Sequence, residues 1–238
     1  MRELPILFPA EMIQAIHAGR KTVTRWVMKP QPPESLINKI TRWENQPRGW
    51  FGFQGDKELW PYRGFGQTQD PVVKPKYQVC DLLWVKEGWR CTGGGSERNI
   101  IYKADGDTAM SFCGIDDGRE SILHVPEDYW AEWDRLVYKT RKSCEWRSPL
   151  FMPKWAVRTW LEVISVRPER LQDITEEDCI REGIELDDND IIAAHAKGKL
   201  PALYAFIKLW DSINAKRGYS WDSNPWVWRI EFKESTNG

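Results

Sequence analysis

Ala15-Ile16-His17-Ala18-Gly19-Arg20-Lys21-Thr22-Val23-Thr24-Arg25 is the stretch whose reading decides the fold. Upstream of it, Met12, Ile13 and Ile16 recur at helical spacing, which predicts a short helix with one buried face. Gly19 suits the left-handed position just past a helix end. Beyond it, Thr22-Val23-Thr24-Arg25-Trp26-Val27 is β-branched and aromatic, the composition of a strand. A helix, a glycine corner and a strand in immediate succession aim Arg20, Lys21, Thr22 and Thr24 at one neighbourhood. Gly-Arg-Lys-Thr is not a triphosphate-binding loop, because that motif needs adjacent Gly-Lys, a second upstream glycine and a preceding strand.

Working outward, Pro5-Ile6-Leu7-Phe8 forms a first short apolar strand, and residues 79–87 form a second, with Leu82, Trp84 and Lys86 on one side and Leu83, Val85 and Glu87 on the other. Cys91 to Ser96, with three consecutive glycines, reads as a loop, and residues 99–104 as another strand. Met152-Pro153-Lys154-Trp155-Ala156 reads as a tight turn feeding a long strand over 157–166. Residues 173–184 are a short helix, with Asp173 or Thr175 able to cap its start, acidic residues in its first turn and Gly183 at its stop. Residues 200–216 form an amphipathic helix with Leu203, Phe206, Ile207, Trp210 and Ile213 on one stripe, and 226–232 close the chain as a strand. The absence of βαβ alternation disfavours a doubly wound parallel sheet and favours an α+β fold with a mostly antiparallel barrel and flanking helices. One domain over 1–238 is expected, with insertions at about 30–77 and 105–147, the second holding a helix around 127–138.

Hydrophobic residues at 41% and charged residues at 29% are those of an ordinary globular protein, and no apolar run approaches the ~20 residues of a membrane span. The N-terminal residues lack a signal-peptide core, so a cytoplasmic location without membrane association is expected. Five scattered cysteines without a Cys-x-x-Cys pair, and three histidines, give no zinc-site spacing, so neither metal nor cofactor is expected. The net charge of −1 advertises no general nucleic-acid binding. A local basic run, Arg135, Lys139, Arg141, Lys142 and Arg147, together with Lys154, Arg158 and 15 tryptophans able to stack on bases, keeps RNA open as a partner.

Residues 18–25, Asp81-Leu82-Leu83-Trp84-Val85-Lys86-Glu87, Leu171-Gln172-Asp173-Ile174-Thr175-Glu176-Glu177-Asp178 and Asn224-Pro225-Trp226-Val227-Trp228 resemble the signatures of ASCH domains, which have a PUA-like β-barrel fold. Their order and spacing are similar to those of the longer ASCH proteins of phages and prophages. Cys80 departs from the pattern, which has glycine before the aspartate, and implies an altered turn. The resemblance implies an amidohydrolase acting on N(4)-acetylcytidine or a related acylated nucleoside, with Lys21, Thr24 and Glu182 as the catalytic set. Chemically, Thr24 is the nucleophile, a desolvated Lys21 the base, and Glu182 the acid for the leaving amine. Glu182 lies in the last turn of its helix, where the dipole disfavours negative charge by roughly 0.3–1 kcal/mol. Lys21 and Thr24 can meet only if the backbone bends between Gly19 and Thr24. Arg20, Thr22, Trp26, Lys86, Glu87, Trp155 and Arg158 are the candidate substrate-binding residues, with Glu87 able to orient Lys21. The competing reading is an RNA-binding, or RNA-cleaving, PUA-like module.

Overall fold

The computed structural model describes residues 1–32, 39–42, 51–54, 75–92, 97–106, 108–112 and 145–235. In chain order these hold strand β1 (Glu3–Leu7), helix α1 (Ala10–His17), β2 (Val23–Val27), β3 (Lys39–Arg42), β4 (Phe51–Gln54), β5 (Leu82–Lys86), β6 (Trp89–Thr92), β7 (Glu97–Tyr102) and β8 (Thr108–Phe112). There follow β9 (Trp160–Arg170), α2 (Glu176–Arg181), α3 (Asp188–Ala196), α4 (Pro201–Asn214) and β10 (Trp226–Glu234). The chain divides into two compact units, each assembled from separate segments. One comprises Met1–Arg2, Gly19–Asp81 and Glu162–Lys233; the other comprises Glu3–Ala18, Leu82–Leu161 and Glu234–Gly238.

In the first unit β10 lies between β9 and β2, and its pairing with β2 is antiparallel, placing Arg229 opposite Arg25 and Ile230 opposite Thr24. β3 and β4 form a separate antiparallel pair. Leu171, Ile174, Cys179, Ala202, Phe206, Trp210 and Val227 make one continuous apolar core. Thr175 caps α2 by accepting a hydrogen bond from the Asp178 amide (3.1 Å), and Gly183, at φ +87°, ends it as the sequence indicates. Pro201 opens α4 without a side-chain cap of its own. The Glu176 carboxylate substitutes, accepting from the Ala202 and Leu203 amides at 2.8 and 2.9 Å, and so locks α2 against the start of α4.

In the second unit β1 and β5 pair in parallel, while β6, β7 and β8 form an antiparallel meander. Its core holds Trp89, Cys91, Ile100, Tyr102, Met152, Ala156 and Val157, with Trp84, Trp155 and Trp160 packed around them. α1 buries Ile13, Ala15 and Ile16, and Gly19 follows it at φ +70°. Cys80, which like Gly19 belongs to the first unit, also has φ +70°, a conformation that glycine adopts freely and a branched or thiol side chain resists.

Parallel and antiparallel pairing with separate helices make the fold α+β. No strand pairing among the described residues closes a barrel. Several sequence expectations need correction. Cys91 and Thr92 belong to β6, paired with Ile100 and Asn99, because pairing partners outweigh the nearby glycines. The strand expected over 157–166 runs instead from Trp160 to Arg170, since the 3₁₀ turn Lys154–Ala156 holds the Val157 amide on the Lys154 carbonyl. On α4 the buried face is Ala202, Ala205, Phe206 and Trp210, and Ile213 is exposed. The helix expected around 127–138 and most of the basic run lie outside the described residues. Among the described residues no helix is long and apolar enough to cross a membrane.

Candidate functional site

β2 is fully extended from Val23, whereas Lys21 precedes it, so the alternation of a strand does not govern the lysine. The Thr22 amide donates to the Arg181 carbonyl at 2.9 Å, pinning this corner to the end of α2. The Lys21 side chain turns back into the interior, where only 3% of its surface stays exposed. All three ammonium protons have acceptors: the Val23 carbonyl (2.8 Å), the Glu182 carbonyl (2.7 Å) and Glu182 Oε2 (3.0 Å). The amine therefore lies against the peptide that joins Val23 to Thr24. The Gly19 corner, at φ +70°, turns the chain ahead of β2 and brings the Lys21 amine to the Val23 carbonyl, not to the Thr24 hydroxyl, among the described residues.

Glu182 is the C-cap just past α2, and Asp178 sits one turn before it on the same face. Arg25 enters from β2 and Arg229 from the facing position on β10. Arg25 donates to Glu182 Oε1 (3.1 Å), to Asp178 Oδ2 (2.5 Å) and to Glu169 Oε1 (2.6 Å). Arg229 takes both oxygens of Asp178, at 3.2 and 3.0 Å, and one of Glu231 at 3.0 Å. Arg181 joins Glu231 and the Thr22 hydroxyl. The result is a buried chain of alternating charge from Arg229 through Asp178, Arg25 and Glu182 to Lys21.

Burial lowers the pKa of Lys21, since removing an ammonium from water disfavours its charge; Glu182 opposes that shift, and Arg25 adds to it by repulsion. Burial would raise the Asp178 carboxyl, but hydrogen bonds from Arg229 and Arg25 hold it at about 2. Burial likewise would favour the loss of the Arg25 proton, yet Glu182, Glu169 and Asp178 raise its pKa above the usual arginine value. The α2 dipole at Glu182 is opposed by two cations in direct contact with its carboxylate, and direct contact outweighs a partial charge at the helix end.

Thr24 is buried and follows Val23 in β2; alternation addresses it to the face opposite Arg25. Its hydroxyl makes no hydrogen bond to Lys21 or Glu182 among the described residues. Of the three expected catalytic residues, Lys21 and Glu182 are thus in contact and Thr24 is adjacent through the backbone. In the same unit Arg20 is exposed and 3.7 Å from Glu185, a surface pairing. Thr22 is tied to Arg181, and Trp26 meets the Tyr77 ring edge-on at 5.2 Å, with the Lys76 ammonium over it.

Lys86, Glu87, Trp155 and Arg158 belong to the second unit. Arg158 grips both oxygens of buried Glu87 at 2.9 and 3.0 Å, reaches Asp105, and stacks 4.1 Å above the Tyr102 ring. Glu87 is therefore Arg158's counterion, which corrects its expected role of orienting Lys21. Lys86 donates to the Leu150 carbonyl at 2.6 Å, and Trp155 packs on the core around Met152 and Ala156.

Sequence reasoning missed Arg25, Asp178 and Arg229. The signal available was the charge at Arg229 between Trp228 and Ile230, since a buried strand position tolerates arginine only with a partner. No protein-family model, curated protein or solved structure matches the chain.

Proposed function

We propose that the protein is an amidohydrolase of the ASCH, PUA-like kind that removes the acyl group from N(4)-acetylcytidine or a related acylated nucleoside. The observation that supports it best is the buried contact between Lys21 and Glu182, with the amine beside the peptide leading into Thr24. A lysine and a glutamate 3.0 Å apart out of water can exchange one proton across their hydrogen bond. That transfer yields a neutral amine and a neutral carboxyl together, the base and the acid that amide cleavage requires.

Thr24 Oγ1 then attacks the acetyl carbonyl while the Lys21 amine takes its proton. As the C–N bond breaks, the Glu182 carboxyl protonates the departing cytosine amine, which restores the ion pair and leaves the acetyl group on Thr24. In the second half, Glu182 takes a proton from water as the water attacks the acetyl ester, and Lys21 returns a proton to Thr24. Acetic acid leaves and gives its proton to solvent, and proton transfer from Glu182 back to Lys21 across the 3.0 Å bond completes the cycle. The RNA-binding alternative draws less support, because Lys154 and Arg158 spend their charge on Glu3, Glu87 and Asp105.

Purified protein incubated with N(4)-acetylcytidine should release cytidine and acetate, and Lys21→Ala should abolish the release. Absence of release, or release unchanged in Lys21→Ala, would end this reading.

A further inference from the structure

We infer that Arg25 is a positioning residue that keeps Lys21 ready to give up its proton, by holding one oxygen of Glu182 and denying Lys21 the whole of that carboxylate's charge. The inference rests on the base role proposed for Lys21. Two buried cations share one carboxylate: Arg25 holds Oε1 at 3.1 Å and Lys21 holds Oε2 at 3.0 Å. The other two acceptors of Lys21 are carbonyl oxygens, which carry no net charge. Arg25, by contrast, has Asp178 and Glu169 as further anions, so it stays fixed whatever Glu182 does. Arginine does not lose its proton in proteins; of the two cations sharing Glu182, only Lys21 can.

The groups facing this pair come from every element packed on it. Asp178, Arg181 and Glu182 come from α2 and its end, Arg229 and Glu231 from β10, and Glu169 from β9. Arg167 on β9 also pairs with Glu169, so Lys21, Arg25, Arg167, Arg181 and Arg229 face Asp178, Glu169, Glu182 and Glu231, five cations to four anions, and the cluster as a whole offers Lys21 no surplus of negative charge. Beside Lys21 itself, the Glu182 carboxylate is shared with the Arg25 guanidinium, and the amine is buried. Asp178 has its own duty in this arrangement. Clamped by Arg229, it fixes the Arg25 fork so that one arm always points at Glu182.

The test is a pH titration of the full chain labelled with ¹³C at lysine Cε, following Lys21 by NMR. In the unsubstituted protein the Lys21 midpoint falls below 10.5. In Arg25→Gln it rises by about one pH unit or more, a tenfold gain in proton affinity, because the repulsion is gone and Glu182 belongs to Lys21 alone. The alkaline limb of kcat for deacylation, where the pair loses its shared proton, moves up by the same amount while KM holds. Arg25→Lys, which returns a cation to the same place with less disturbance, keeps the midpoint within about half a unit of the unsubstituted protein. An unshifted Arg25→Gln midpoint overturns the inference, and so does an Arg25→Lys midpoint raised by a unit. If Arg25→Gln does not fold, the Arg25→Lys midpoint decides alone. Lack of turnover by the unsubstituted protein would sink the hydrolase reading without touching this titration; an Arg25-independent midpoint in an active enzyme would sink only the inference.

Discussion

Replacing Asp178 by Asn leaves its volume and its place on α2 intact but withdraws the one anion that Arg25 and Arg229 share. Removing one partner of a buried ion pair costs about 3–5 kcal/mol, because an uncompensated charge is left behind. Here the loss is partly covered: Arg25 keeps Glu169 at 2.6 Å and Glu182 at 3.1 Å, and Arg229 keeps Glu231 at 3.0 Å. The amide oxygen of Asn also still accepts one hydrogen bond. The expected destabilisation is therefore about 2–4 kcal/mol, a large share of the 5–15 kcal/mol that holds a typical domain together. Urea unfolding followed by tryptophan fluorescence and by circular dichroism would measure it, with coincidence of the two signals checking that one cooperative transition is being followed. Glu177→Gln, on the exposed side of the same helix, is the control and should change stability by less than about 0.5 kcal/mol. A loss below about 1 kcal/mol for Asp178→Asn would refute the claim that this carboxylate carries the charge chain.

The same carboxylate makes stability depend on acid. Its folded pKa of about 2 lies below the unfolded value near 3.9, so its contribution is present above pH 4 and is lost as the pH falls from about 4 to 2. Allowing for solvent screening, the loss is on the order of 1–2 kcal/mol, and Asp178→Asn should flatten that part of the urea-midpoint profile. Cys80→Gly relieves a side chain held at φ +70°; against the extra freedom of glycine in the unfolded chain, the expected outcome is a gain of up to about 1 kcal/mol, and a lowered urea midpoint would contradict it. Deacylation should fall at high pH as the Lys21–Glu182 pair loses its shared proton from Lys21 at a midpoint below 10.5, because no acid then remains for the leaving amine, and a kcat that rises through that midpoint would contradict the proton sharing.

Much of the frame around the site was legible in residue order. Gly19 and Gly183 mark backbone corners at φ +70° and +87°, as a glycine after a periodic apolar run implies, and Thr175 caps α2 by the rule for hydroxyls before an acidic turn. The altered turn expected at Cys80 is not what the backbone shows, since the position keeps φ +70°, the conformation that glycine adopts freely. α3 was not legible, because its apolar residues keep no helical stripe and only the Asp187 cap, accepting from the Asp190 amide at 2.6 Å, marks it. The partners of Glu182 were missed for a different reason. Lys21 and Glu182 were singled out by type, but Arg25 and Arg229 become neighbours only through the β2–β10 register, and Asp178 reaches them only because Glu176 fixes α2 against α4. Pairings of that kind depend on three elements at once, and local sequence specifies each element separately.

The hydroxyl of Thr24 is where the ionic chain would meet its substrate, so cytidine release from N(4)-acetylcytidine by Thr24→Ser and Thr24→Val tests the account most directly. Serine keeps the oxygen and should retain activity within about tenfold; valine keeps the shape without it and should lose about a thousandfold or more. Equal rates for valine and the unsubstituted protein would show that no covalent step passes through this residue and would contradict the account.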